Sequence, residues 1–387
     1  MIHIGDMSSC CGCTACASIC PKDAIKMVPD GMGFLYPSVD ENLCINCGIC
    51  DNVCQFNDNY DKSLNLAAPL AYAVRHKDLG EVMKSRSGAA FAAFSDYVLE
   101  KGGVVYGAAF AEGFVVRHKR AVTKEQRDEF RGSKYVQSDM TDIFHQVIED
   151  LKNDCLVLFS GTPCQTSGLN AYIGKKLRSK LILVDIVCHG VPSSFFWRDY
   201  IVYIEKKSNS SISNVNFRDK SEFGWKKHIE SFKLNNGNII YSDLFTKVFY
   251  AHINLRKSCY VCHFTNLTRP SDITLADYWG WERTDSDFNK DDKGCSLVLC
   301  NTEKGVDLFE KVKDSMNFIP AKLENILQGH LQHPTEENPR RDEFCKYYEQ
   351  HGLKPTLAHF GYIGWKKQLQ DFKKKAKNRI KRILKRK

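Results

Sequence analysis

From about residue 67 onward, apolar runs of strand length alternate with stretches whose apolar positions recur at helical spacing. Ala67 to Val74 opens the first apolar run, after a polar stretch from Asn57 to Asn65 that reads as a linker. Ser85 to Leu99 is expected to begin as a helix start and continue with one apolar face. Gly102 to Phe110 and Phe114 to Ala121 are expected to be strands flanking a turn at Glu112-Gly113. Cys155 to Ser160 and Leu181 to Val187 are buried-strand runs, and Pro163 to Ile173 between them suits a helix with proline in its first turn. Strand, helix and strand in that order imply a parallel pair with a crossover helix. Further on, a helix is expected over Ser193 to Lys206 and a hairpin over His228 to Leu234 and Ile239 to Ser242, turning at Asn236-Gly237. Strands over Ile273 to Trp279 and Ser296 to Thr302 and a helix over Glu303 to Ser315 complete an α+β chain with an α/β core.

Residues 1–57 carry two cysteine motifs. The first is Cys10-x2-Cys13-x2-Cys16-x3-Cys20-Pro21 and the second Cys44-x2-Cys47-x2-Cys50-x3-Cys54. Three thiolates two residues apart wrap one face of a 4Fe-4S cubane, and the fourth, just past the loop, faces the other cluster. The assignment is therefore Cys10, Cys13, Cys16 and Cys54 for one cluster, and Cys20, Cys44, Cys47 and Cys50 for the other. Zinc sites use paired C-x2-C loops, which fit this spacing less well. Cys11 breaks the spacing and reads as a non-ligand. This is a bacterial-type dicluster ferredoxin module, which carries single electrons and holds no substrate of its own.

Four cysteines of the body stand in suggestive contexts. Cys164 lies in Gly161-Thr162-Pro163-Cys164-Gln165, where a strand ends and a helix begins, and Cys188 follows the next strand. If those strands are parallel, both thiols emerge at the carboxyl edge of the sheet, where open α/β sheets bind ligands. Cys259-x2-Cys262 adds a chelating pair, making four thiolates, enough for a third cluster. The alternatives are buried core thiols at Cys164 and Cys188 and a zinc or dithiol pair at Cys259 and Cys262. Cys155, Cys295 and Cys300 read as packing residues.

Single electrons from such clusters meet two-electron organic chemistry most naturally at a flavin. There is no G-x-G-x-x-G. Ser85-Arg86-Ser87-Gly88 is a candidate anion site for a flavin phosphate, and Gly132-Ser133-Lys134-Tyr135 combines a turn, a cation and a ring. A plain helix cap and a plain loop are the alternatives.

Eight segments taken together resemble one family. They are Ser85 to Phe91, Gly102 to Phe110, Gly132 to Ser138, Gly161 to Leu169, Cys188 to Pro192, Phe217 to Trp225, Ser258 to Phe264 and Asp272 to Gly280. In order across residues 1–320, they resemble the coenzyme F420 hydrogenase and dehydrogenase beta-subunit family, in the form with an N-terminal two-cluster ferredoxin. The resemblance implies a flavoprotein, usually with FAD, and a further 4Fe-4S cluster held by Cys164, Cys188, Cys259 and Cys262. It implies that Ser85, Ser87, Gly88, Lys134 and Tyr135 lie around the flavin. Arg218, Lys220, Trp225 and Asp277, with Asp272 and Trp279, are implied on the substrate side. The implied domains are 1–57 as the ferredoxin, 66–150 as the family's N-terminal flavin-binding part, 151–335 as its C-terminal part with the third cysteine set, and 361–387 as a basic tail. The fold expected is thus a dicluster ferredoxin followed by a mixed α/β flavin-binding body. Proteins of this form also resemble products of bacterial polysaccharide gene groups.

Charge changes this picture only at the end of the chain. The net charge is +9, yet residues 366–387 hold twelve Lys or Arg against Asp371 alone, so the basic character belongs to the tail. Apolar residues from Ile363 to Leu384 recur at spacings of mostly three or four, as in a helix lying on an anionic membrane surface. A solvated helix or disordered tail is the alternative, and no nucleic acid is expected. No run of eighteen apolar residues is present, and Met1 to Asp6 lacks the regions of a signal peptide, so a cytoplasmic protein, peripheral on the inner membrane face through its tail, is expected. The expected function is an iron–sulfur flavoprotein oxidoreductase that exchanges electrons with a redox partner protein or ferredoxin and acts on a small molecule the sequence does not name. Two further readings are an electron-transfer subunit without its own substrate, serving a partner enzyme, and a membrane-associated polysaccharide-assembly protein with vestigial redox function.

Overall fold

The computed structural model describes residues 2, 6–56 and 60–365, so the tail lies outside the described residues from 366 on. The cysteine-rich module is built twice over. Each three-cysteine loop runs into a one-turn helix, Ala15–Ser18 or Ile49–Asn52, entered through a left-handed residue, Thr14 (φ 71°) or Gly48 (φ 74°). That positive φ bends each loop back on itself before the helix begins. Between the loops, strands β1 (Ile25–Pro29) and β2 (Leu35–Val39) form an antiparallel hairpin.

The body is an eight-stranded mixed sheet with a smaller sheet beside it. In chain order the large sheet uses β3 (Asn65–His76), β4 (Val104–Phe110), β5 (Val116–Ala121), β6 (Val157–Gly161) and β7 (Leu181–Ile186). The small antiparallel sheet is formed by β8 (Ile212–Asn216), β9 (Glu230–Leu234) and β10 (Ile239–Ser242). The large sheet is completed by β11 (Ile273–Asp277), β12 (Ser296–Thr302) and β13 (Met316–Pro320), in the order β13-β3-β12-β11-β7-β6-β4-β5. Strands β4, β6, β7 and β11 run parallel at its centre, and the others pair antiparallel outside them. The Pro163–Ile173 helix crosses over between β6 and β7, as its sequence position implies.

Alternation along the central strands supplies two cores. Leu158, Ile182 and Val184 face the Ala90–Glu100 and Glu303–Val312 helices, where Phe94 and Phe309 are buried. Val157, Phe159, Leu181 and Leu183 point the other way, toward Phe144 and Leu169 of the Ile143–Lys152 and Pro163–Ile173 helices. The cysteine-rich module joins this second core through Ala15, Ile25 and Val53. Its hairpin end inserts Met32 and Phe34 into a third core, against the Ser194–Ser208 helix. Each such buried side chain contributes roughly 1.5–3 kcal/mol, so the module is packed onto the body rather than tethered to it.

One expected element differs. The helix expected over Ser85 to Leu99 begins only at Ala90 and runs to Glu100, residues 85–89 form a loop, and a separate helix, Leu79–Lys84, precedes them. Gly88 explains the break. A Cβ there would lie 2.1 Å from the Val74 carbonyl, and its own carbonyl accepts from the His76 N–H at 2.8 Å, so the loop is pressed onto β3. Among the described residues no helix is long and apolar enough to cross a membrane.

Two buried ionic features have measurable consequences. Arg269 pairs with Asp185 of β7 at 3.1 Å, both fully buried. Arg269→Met is expected to cost about 3–5 kcal/mol by leaving that carboxylate alone, and adding Asp185→Leu to recover part of it, the Phe264 and Ile186 carbonyls still lacking the Arg269 donors, as read by thermal unfolding. In β9, Glu230 is buried and accepts from the Thr246 N–H at 2.7 Å, and burial pushes its carboxyl up to about 7. The folded state then binds this proton more tightly than the unfolded chain, so its contribution is full below about pH 4.5 and is lost as pH rises through 7. Glu230→Gln should remove a loss on the order of 3 kcal/mol between those limits, measured as denaturation midpoints against pH.

Candidate functional site

The two ferredoxin motifs exchange their fourth cysteines in space. Cys20 joins Cys44, Cys47 and Cys50 around one cavity of ≈ 370 Å³, roofed by Ile25, Val39, Ile45 and Ile49. Cys54 joins Cys10, Cys13 and Cys16, whose thiols lie close enough to oppose one another's ionisation. The first set reaches the surface at Cys47. The second lies against the body, where a Cβ on Gly168 of the crossover helix would sit 2.8 Å from the Cys13 Sγ.

Strand ends and one loop assemble the third set. Parallel pairing of β6 and β7 brings Cys164 and Cys188 to one sheet edge. A capping box at Thr162 and Gln165 starts the helix that carries Cys164. Arg269 ties the loop to the strand, donating to the carbonyl of Phe264, two residues past Cys262, and to that of Ile186, two before Cys188, the latter at 3.0 Å. Gly190, at φ 131°, passes so near Cys259 that a Cβ would be 3.3 Å from its Cβ, and the Val191 N–H donates to the Cys259 Sγ at 3.4 Å. All four thiols line a cavity of ≈ 490 Å³. Burial pushes Cys259 up to about 12 and Cys262 up to about 11, and raises Cys188. Such thiols make poor nucleophiles, while metal binding would release their protons. Among the described residues no three Cys, His, Asp or Glu side chains are grouped so as to hold a single metal ion.

Two residues that the motifs did not single out lie between these sets. Cys11, fully buried, hydrogen-bonds to Cys13 on one side and Cys164 on the other, lowering both partners' thiols. Arg256 is fully buried at the seam. It donates from Nε to the Cys10 carbonyl at 2.8 Å and from Nη2 to the Cys10 Sγ at 3.6 Å and the Leu35 carbonyl at 3.0 Å. Its plane lies 4.1 Å from the Tyr36 ring centre, and Nη1 donates to Gln137.

The residues implied around a flavin and a substrate divide by role. Ser85 ends the Leu79–Lys84 helix. The Ser87 Oγ donates to the Cys295 carbonyl at 2.6 Å and the Gly88 N–H to Ser296 Oγ at 2.9 Å, so both anchor their loop to β12. Lys134 donates to the carbonyls of Glu129 and Arg131 at 2.7 and 2.9 Å, and burial pulls its amine down to about 7. Tyr135, Arg218, Lys220, Trp225 and Asp277 do come together. Arg218 Nη1 donates to Asp277 Oδ2 at 2.5 Å and to the Tyr135 hydroxyl at 3.2 Å. Trp225 Nε1 donates to Asp277 Oδ1 at 3.3 Å, and its ring stacks on Trp279 at 4.5 Å. Lys220 donates to the carbonyls of Val82 and Ser87 at 2.5 and 3.2 Å. Asp272, placed on this side by its phrase, lies at the far end of β11. It accepts from Arg178 at 2.9 Å and from the Leu183 N–H at 2.8 Å, as a buried structural anchor. Arg86, whose sequence phrase drew attention to its serines and glycine, reaches the cluster, 3.7 Å from Asp277.

Residues 155–324 match the family described as the C terminus of the coenzyme F420 hydrogenase/dehydrogenase beta subunit, and residues 9–57 match a 4Fe-4S dicluster domain. No curated protein matches the chain significantly. A solved chain from the xenon-derivatised F420-reducing NiFe hydrogenase complex of Methanosarcina barkeri is 18% identical, with 76% of this chain and 91% of that one covered and a TM-score of 0.47. The chain thus joins an N-terminal 4Fe-4S dicluster domain to the C-terminal domain of the coenzyme F420 hydrogenase/dehydrogenase beta-subunit family.

Proposed function

We propose that this protein is an iron–sulfur flavoprotein oxidoreductase that passes electrons between a ferredoxin-type chain and a two-electron substrate at a flavin. One observation carries the reading: three sets of four thiols run in sequence from the surface at Cys47 to the carboxyl edge of the body's sheet. Cys20, Cys44, Cys47 and Cys50 would hold the outer cluster, Cys10, Cys13, Cys16 and Cys54 the inner one. Cys164, Cys188, Cys259 and Cys262 would hold a third. Cys11, touching Cys13 and Cys164, bridges the last two sets through hydrogen-bonded sulfur. FAD, when bound, would convert between single electrons and an electron pair. The residues 66–150 and 151–335 would share its site, with Tyr135, Arg218, Trp225 and Asp277 around it.

Exposed Leu43, Ile45 and Ile49 surround the outer set, an apolar patch suited to a redox partner protein. That patch also favours a second reading, in which the chain is an electron-transfer subunit feeding a partner and has no substrate of its own. Anaerobic purification with iron and flavin assays separates them. The oxidoreductase should carry about twelve irons and one flavin, and Cys188→Ala or Cys262→Ala should lower iron to about eight. Twelve irons in those variants would dispose of the third set, and a wild-type chain without flavin leaves the carrier reading.

Arg256 yields a separate prediction. Its charge and its N–H···S bond to Cys10 favour the reduced form of the inner cluster. Arg256→Gln should therefore move one midpoint potential to more negative values in a redox titration. An unmoved potential at full iron content would remove that role.

A further inference from the structure

Arg86 and Arg218 are buried beside one another, their side chains 10% and 3% exposed, with Asp277 as the carboxylate between them. That carboxylate is already engaged: Oδ2 accepts from Arg218 Nη1 and Oδ1 from Trp225 Nε1. The Trp225 carbonyl takes Arg86 Nη2 at 2.7 Å and Arg218 Nη2 at 3.1 Å. Arg86 Nε, Arg86 Nη1 and Arg218 Nε are left buried without an acceptor. A guanidinium N–H removed from water and given no acceptor opposes folding, and guanidinium groups do not shed their charge to escape it. Lys220 adjoins the same group. Its amine, lowered to about 7 by burial, has a neutral form available, yet even then two fixed positive charges face one negative one.

The cluster is not sealed. Trp279, stacked on Trp225, is 37% exposed, and Tyr250 is 41% exposed. The Tyr250 hydroxyl and His228 Nδ1 are 2.7 Å apart, and the His228 ring lies 6.0 Å from that of Trp279. These rings adjoin the third thiol set, because His189, next to Cys188, packs on Tyr250 at 5.2 Å and on Phe249 at 4.9 Å.

We propose that Arg86 and Arg218 form a cradle for an oxyanion, a phosphate or carboxylate group, entering past the Trp279 and Tyr250 rings. The proposal rests on the oxidoreductase reading for its identification of the ligand as a reactant or flavin, but not for the cradle itself. The unengaged donors supply hydrogen bonds, the surplus positive charge supplies attraction, and the aromatic mouth receives a flat, conjugated body. Two molecules present this chemistry: the flavin, through its phosphates, and an anionic substrate.

The test uses the full chain, reconstituted anaerobically, with inorganic pyrophosphate and FAD as probes in calorimetry. Wild type should bind pyrophosphate, and Arg86→Gln should weaken it by roughly tenfold to a hundredfold at unchanged iron content. If the oxyanion is the flavin's own, FAD and pyrophosphate compete and Arg86→Gln also loses FAD. If it belongs to the substrate, the FAD-loaded chain still binds pyrophosphate and the variant keeps its flavin. Either result supports the cradle. Should Arg86→Gln lose iron, Arg86→Lys, which keeps the charge but not the planar donor set, carries the comparison and should still weaken binding. Wild type that binds neither probe, or affinities that no Arg86 variant changes, would overturn the proposal. Pyrophosphate binding that depends on Arg86 in a chain that takes up no flavin would uphold the cradle while removing the flavin reading.

Discussion

A single buried guanidinium sets the relation between the two halves of this molecule. Arg256 comes from the body, yet it donates to Cys10 and Leu35, and Tyr36 lies across its face. Its charge has no carboxylate among these contacts. It is held by carbonyl oxygens, a thiol, an amide and an aromatic ring, all of which lose their arrangement if the module shifts. Gly12 enforces the fit from the other side, since a Cβ there would lie 2.8 Å from Arg256 Nη1. The cysteine-rich module therefore docks in one orientation, and the order of the thiol sets depends on that orientation.

Much of this was legible because it is local. The two cysteine motifs carry their spacing within eleven residues each, and strand, helix and strand around Pro163 follow from adjacent apolar runs. The rule that parallel strands present ligands at their carboxyl edge was enough to bring Cys164 and Cys188 together. Hidden features share the opposite property. Arg256 meets Cys10 across 246 positions, and Arg86 meets Trp225 across 139. No periodicity announces such contacts. Strand β13 escaped for a different reason, being a mostly solvent-facing edge strand whose residues do not alternate cleanly. Asp272 and Asp277 show the limit of reading phrases whole, since they bracket one short strand and end at its opposite edges.

The environment of the thiols changes along the chain of sets. Cys47 of the outer set is exposed, Cys16 of the inner set is buried, and the four thiols of the third set are half-buried in a cavity between loop and helix. An exposed end suits exchange with another protein, and an enclosed end suits chemistry that must exclude water. The neighbouring arginines extend this gradient into a region where buried positive charge exceeds negative. Structural packing alone rarely retains such an excess, because each uncompensated ion opposes folding.

The crossover helix has a further consequence. Cys164 and Gly168 stand four residues apart, one turn along the same face, and the first lines the third cavity while the second abuts Cys13. One rigid rod thus sets Cys164 and Gly168, and with them two thiol sets, apart by a rise of about 6 Å along its axis. The interval between the two thiol sets is thus entrusted to the stiffest element a polypeptide has. Insertions elsewhere could lengthen loops or reshape the surroundings of Trp279 and Tyr250 without changing that interval. The helix acts as a gauge block, letting the front end and the body diverge separately while the step between them keeps its length.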